Sequence, residues 1–304
     1  MSSFKIGCDP EFFLKKDGKF ISAHDRVPGT KEKPHPLPGG GHVQADGLAV
    51  EFNIPASSTK RAFVNNIKQA LVDIRQEFFK NDKDIEFSFS PVALFDLSYF
   101  KTLPEYALEL GCEPDFNAYS GGKVNPRPST SKPMRTGSGH IHVGYLSGDD
   151  MVEGIPSESP EHMDDCVLLS MAMDANFMLN KSIWDGDVER ASLYGRPGCF
   201  RPKKYGMEYR SPSNSWLNYP DMWPWIFDAT EAAVDSVKSG EFILSLRNSF
   251  GRGADFRYYV DMYSKYGKAD PKKPSSTVYT PADMIMKGMV VPLTIQQVSK
   301  VLVI

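Results

Sequence analysis

The chain of 304 residues is 41% hydrophobic and 24% charged, a balance that allows a large buried core and argues against a disordered or membrane-embedded protein. Its 35 basic and 38 acidic residues give a formal net charge of −3, which supplies no general pull toward nucleic acid and disfavours that partner. The start MSSFKIGCDPEFFLKK lacks the basic segment and apolar core of a signal peptide, and no apolar run approaches the ~18 residues of a membrane span, so a cytoplasmic location is expected.

Along the chain, strand-like alternation is expected at 12–15 and 48–54. A helix follows, capped at Ser57-Ser58, in which Phe63, Ile67, Leu71, Ile74 and Phe78 recur every three or four residues on one face and pack on a sheet. Further strands are expected at 85–89, 140–145 and 205–211, and further helices within 161–181 and 221–238, the last with Pro224 in its first turn. The methionines of the 161–181 helix read as core filler. Loops rich in proline and glycine at 27–41 and 117–139 are the places to look for substrate contacts. With neither a repeat nor a linker, a single α+β domain over 1–304 is the simplest organisation. Cys8, Cys112, Cys166 and Cys199 are scattered without a CxxC pair and read as reduced, mostly structural thiols.

Residues two apart on a strand share a face. His140 and His142 therefore point one way, and so do Asp9 and Glu11, Glu51 and Asn53, and Glu208 and Arg210. This predicts a mostly antiparallel sheet with one polar catalytic face and helices packed on the other. Carboxylates and imidazoles are cation-binding side chains, and the acids Asp9, Glu11, Glu51 and Glu208 are hard oxygen donors of the kind Mg²⁺ or Mn²⁺ prefers. Clustered without a cation, they would repel one another. Downstream, Arg190, Arg196, Arg201, Lys203, Lys204 and Arg210 crowd into a basic stretch. Acid-bound metal beside arginines is what phosphoryl transfer requires.

The segments GCDPEFF, ADGLAVEFN, GCEPDFNAY, GSGHIHVG and EYRSPSNSW, in that order from residue 7 to 216, together resemble the phage-encoded COOH-NH2 ligase family, type 2. That family is a branch of the glutamine synthetase and glutamate–cysteine ligase superfamily. The resemblance implies a glutamine synthetase-like catalytic domain that uses ATP and Mg²⁺ or Mn²⁺ to join a small-molecule or peptide carboxylate to an amine. It implies metal ligands at Asp9, Glu11, Glu51, Glu208 and either His140 or His142. Catalytic roles fall to Glu51, Arg196, Arg201 and Arg210, and nucleotide contacts to Lys132, Gly137, Ser138, Gly139, His142 and Arg190, with the glycine turn letting the backbone approach the nucleotide. It also implies residence in an infected host's cytoplasm and allows a homo-oligomer. The chain departs from the superfamily in having Asp9 where glutamate is usual and Pro10 inside the first motif, which suits a strand edge or start. The second acid of the superfamily's middle pair has no clear counterpart, Asp46 being the nearest.

Three rival readings remain at this point: a metal-dependent hydrolase built on His140 and His142, a guanidino-kinase-like phosphotransferase, and a non-catalytic phage interaction protein. Further histidines for a hydrolase would have to come from His24, His35, His42 or His162.

Overall fold

A computed structural model describes residues 4–108, 115–126, 128, 132–145, 160–177, 190 and 193–244. The protein is α+β. An antiparallel sheet of eleven strands among the described residues carries the three long helices on one face.

In chain order the elements are β1 (Lys5–Lys16), β2 (Lys19–Ile21), β3 (His35–Pro36), β4 (His42–Asp46), β5 (Ala49–Asn53), α1 (Lys60–Phe78), β6 (Ile85–Ser88), β7 (Val92–Leu94), α2 (Leu97–Phe100), α3 (Glu105–Leu108), β8 (Phe116–Asn117) and β9 (Lys123–Val124). They continue with β10 (Met134–Thr136), β11 (Gly139–Gly144), α4 (Pro160–Phe177), β12 (Cys199–Lys203), β13 (Gly206–Tyr209) and α5 (Trp223–Lys238). The main path across the sheet is β3-β4-β5-β1-β11-β13-β12-β8-β9, with β2 and β6 paired to the far end of β1 and β7 paired with β10 apart. The loops expected at 27–41 and 117–139 therefore contain short strands, β3, β9 and β10.

Period-two alternation sorts the side chains. Ile6, Cys8 and Phe12 of β1, Val50 and Phe52 of β5, Ile141 and Val143 of β11, and Met207 and Tyr209 of β13 are buried in one core. That core continues into the helices, where Phe63 of α1 meets Phe227 of α5 at 5.9 Å and Phe177 of α4 meets Trp225 at 5.3 Å and Tyr209 at 5.5 Å. On α1 the expected stripe is seen, with Phe63, Ile67 and Ile74 buried and Leu71 and Phe78 partly so. Its cap is Thr59, whose hydroxyl accepts from Ala62 N, because Ser57 is spent pairing with Ile6 beside β1. The helix expected at 161–181 is α4, its last four positions lying outside the described residues. Pro224 sits in the first turn of α5, as expected.

Pro10 lies in the middle of the central strand β1, not at an edge or start. Glu11 N donates to Ser138 O on the side of β11, whereas Ile6 N donates to Ser57 O on the other side. By alternation the imide nitrogen of Pro10 faces the β5 side, and the cost is one ladder bond there. A second small core, Phe13, Leu48, Ala49, Ala93, Phe95 and Ala107 of α3, covers the far end of the face opposite α1, α4 and α5. The rest of that face carries the polar pairs.

Candidate active site

The register brings the polar pairs together. Glu11 lies opposite Glu51, and Gln44 lies opposite Glu51 on its other flank. Asp9 lies opposite His140, His142 opposite Glu208, and Glu208 opposite Arg201. Cross-strand partners share a face. The result is a continuous polar band across β4, β5, β1, β11, β13 and β12.

Two donor centres form within the band. In each, one ligand-capable atom per residue lies within 4.8 Å of the others: Glu11, Asp46 and Glu51 in the first, Asp9, His142 and Glu208 in the second. Burial, and after it the charge of Asp46, pushes the Glu11 carboxyl up to about 8. Burial followed by the charges of Asp9, Asp46, Glu11 and Glu208 puts Glu51 well above the ordinary range. The fold thus crowds acids that the described residues neutralise only in part, an arrangement a divalent cation would relieve.

The second centre is better compensated. Burial opposes ionisation of Glu208, yet Arg210, the two histidines and Lys203 hold its pKa well below the usual carboxylate value. Burial likewise opposes ionisation of Asp9, and the contacts of His142 and His140 together hold its pKa below the usual carboxylate value. Nevertheless Asp9 Oδ1, His142 Nε2 and Glu208 Oε2 are buried atoms with no aligned hydrogen bond. Asp9 Oδ1 is 2.9 Å from His142 Nε2, and Lys203 Nζ is 2.7 Å from Glu208 Oε2, close contacts whose angles are wrong for hydrogen bonding. Three such atoms gathered within 4.8 Å fit a divalent cation, the all-oxygen set suiting Mg²⁺ or Mn²⁺ and the imidazole making the mixed set the better match for a transition ion such as Mn²⁺.

Of the two histidines, His142 supplies the donor atom at this centre. His140 lies behind it, its Nδ1 3.4 Å from Asp9, 3.3 Å from Glu208 and 3.3 Å from Arg210. Burial, then the guanidinium of Arg210, lowers its pKa. Arg210 is itself buried and donates through Nε to Asp115 and through Nη1 to Glu208. Arg201 Nη1 stands 3.8 Å from Glu208, and with Lys203 it forms the more open positive edge of the band.

Ser138 belongs to the site through its backbone, because its N–H donates to Glu11 Oε2 at 2.8 Å while its carbonyl accepts from Glu11 N. The neighbouring glycines answer to a different demand from the expected nucleotide approach. A Cβ on Gly137 would overlap the Asn214 amide, and one on Gly139 would overlap Ser213 O and Trp216 Nε1. The space a ligand would need is filled by the 213–216 segment, so these glycines serve internal packing. Arg190 departs similarly from the expected nucleotide contact. It is 1% exposed, and its Nε, Nη1 and Nη2 donate to the carbonyls of Gly137, Ser211 and Pro212 at 3.0, 3.1 and 2.9 Å. That guanidinium ties the glycine turn to the strand exit of β13. Arg196 is exposed in the turn before β12, and Lys132 is exposed just before β10, outside the large sheet.

Sequence reasoning assigned no role to Gln44, Asp115 or Tyr205, placed Lys203 only within a basic stretch, and offered Asp46 only as a stand-in. Alternation along β4 is the signal for Gln44 and Asp46. The others become visible only through pairing across the sheet.

No family model and no curated protein matches the chain. Among solved structures, a bifunctional glutathione synthetase from Pasteurella multocida is similar over 60% of this chain, with 12% identity and a TM-score of 0.27. The match spans 22% of that enzyme's length, and a likeness this slight carries no argument. Among the described residues no helix is long and apolar enough to cross a membrane.

Proposed function

We propose that the chain is an ATP-dependent carboxylate–amine ligase that works through an acyl phosphate. One observation carries this reading: two adjacent acid centres on one sheet face, edged by Arg201 and Lys203 and backed by Arg210. Phosphoryl transfer to an anionic acceptor is chiefly a problem of positioning and charge neutralisation, and this band offers both. The ordered motifs support placing the chain with the phage-encoded COOH-NH2 ligases and a glutamine synthetase-like fold.

In the proposed reaction a substrate carboxylate oxygen takes the γ-phosphoryl group and ADP leaves. An amine then forms the C–N bond, displaces phosphate and gives up a proton. Glu11, Asp46 and Glu51 would hold one Mg²⁺ or Mn²⁺, and Asp9, His142 and Glu208 a second. Bound there, the ions neutralise charge on phosphate and carboxylate oxygens. The chain's own parts are distinct. Arg201 and Lys203 attract the anionic reactants from the open edge, Arg210 keeps Glu208 ionised, and the Ser138 N–H holds Glu11 in place.

The test is MgATP with panels of carboxylates and with hydroxylamine as a general amine. Carboxylate-dependent ADP release with hydroxamate formation is expected. ADP release onto guanidino acceptors without hydroxamate would instead indicate a phosphotransferase.

A further inference from the structure

His142 is the one imidazole donor at the second centre, and an imidazole ligates through a ring nitrogen only if the proton sits on the other. Its Nδ1 is hydrogen-bonded to the hydroxyl of Tyr205, and the two rings lie 5.9 Å apart at 32°. Its Nε2 is the orphaned atom directed at Asp9 Oδ1 and gathered with Glu208. Tyr205 stands in the two-residue turn between β12 and β13, next to Gly206.

That turn is fixed on the strand that carries the histidine. Tyr145 N donates to the carbonyl of Tyr205 at 3.0 Å, and Gly206 pairs with Gly144. Gly206 adopts a φ of +148°, and a Cβ there would overlap Val143 O, so the turn is held against β11 with no room for a side chain. The phenol is thereby carried to His142 Nδ1 by backbone geometry.

We propose that Tyr205 is the positioning residue of the imidazole-bearing metal centre. Its hydroxyl oxygen accepts from His142 Nδ1–H, which selects the tautomer and ring orientation that leave the Nε2 lone pair free for a divalent cation. The proposal rests on the two-centre reading above and goes beyond it in assigning work to a residue that touches neither metal nor substrate. Groups that orient metal-bound histidines set affinity about as strongly as many ligands do, and losing one costs roughly 10- to 100-fold. The all-carboxylate centre is held differently, by Ser138 N on Glu11 and by Gln44 Nε2 on Glu51 at 3.3 Å.

The experiment is a Mn²⁺ titration of the full chain followed by electron paramagnetic resonance, with electron spin-echo modulation to detect nitrogen bound to the ion. Native protein, Tyr205→Phe, His142→Ala and Glu51→Gln are compared, and unfolding midpoints are recorded for each. Tyr205→Phe keeps the ring contact, so its midpoint should match the native one. Expected is a nitrogen-coupled Mn²⁺ whose affinity falls about 10- to 100-fold in Tyr205→Phe, with the nitrogen-free ion unchanged. Glu51→Gln should do the reverse. If the nitrogen-coupled ion binds to Tyr205→Phe within about twofold of native while His142→Ala abolishes it, Tyr205 has no positioning role and the metal site itself stands. If native protein binds no nitrogen-coupled Mn²⁺, the imidazole centre is refuted and Tyr205's role falls with it.

Discussion

Glu11→Gln tests whether the first acid centre is built for a cation. Glu11 is 6% exposed, and its pKa rises from 4.5 to about 8 through burial first and the charge of Asp46 second. Between those two values the folded chain keeps a proton that the unfolded chain has released. Without divalent ions, stability should therefore fall as pH rises from about 4.5 to about 8 and level off above that. The interval of roughly 3.5 pH units, at about 1.4 kcal/mol each, sets an upper limit near 5 kcal/mol, and sharing of the proton with Glu51 brings it to a few. The glutamine removes the charge and still offers an oxygen to Ser138 N. Urea unfolding in EDTA at several pH values in this range should show the variant gaining on native protein by about 1 kcal/mol per pH unit. Added Mg²⁺ should reverse the order, stabilising native protein more. Parallel pH profiles for the two proteins in EDTA would refute the reasoning.

Arg190→Ala should cost about 3 kcal/mol in urea unfolding, because three buried carbonyls each lose a donor, Gly137 O and Pro212 O keeping only the N–H groups of Asn214 and Gly139, and Arg190→Lys should recover only part of it, lacking the planar fork. Gly139→Ala should cost about 3 kcal/mol, the upper end for overpacking, since the new methyl meets Ser213 O and Trp216 Nε1 with no free volume. Arg210→Ala should cost about 3–5 kcal/mol, because it strands the buried Asp115 carboxylate, and Asp115→Ala should cost less, since Arg210 keeps Glu208, while the double variant costs well below their sum.

Much of the site was legible because a strand's period is two. Asp9 with Glu11, His140 with His142 and Glu208 with Arg210 share faces by spacing alone, and the hydrophobic residues between them, such as Ile141 and Tyr209, fill the core. The α1 stripe was legible for the same kind of reason. What local pattern does not carry is which strands are neighbours. Glu51 meets Glu11 because β5 pairs with β1, and only then do Asp46 and Gln44 join the cluster. Asp115 reaches Arg210 across 95 positions of chain, a separation with no sequence period. Arg190 and the Gly137 to Gly139 turn look like phosphate-binding chemistry in sequence. Their partners, at 211–216, turn them inward instead. Pro10 is tolerated in a central strand because the bond it forgoes lies on one side only.

The central claim is that this sheet face binds ATP through divalent cations. Calorimetric titration of ATP into native protein and into Glu208→Ala, each with and without Mg²⁺, tests it most directly. Tight binding that requires Mg²⁺ and is lost in a folded Glu208→Ala is the predicted result. Binding of equal strength without Mg²⁺, or no binding by folded native protein at roughly millimolar ATP, the upper end of the range in which enzymes usually bind substrate, would contradict it.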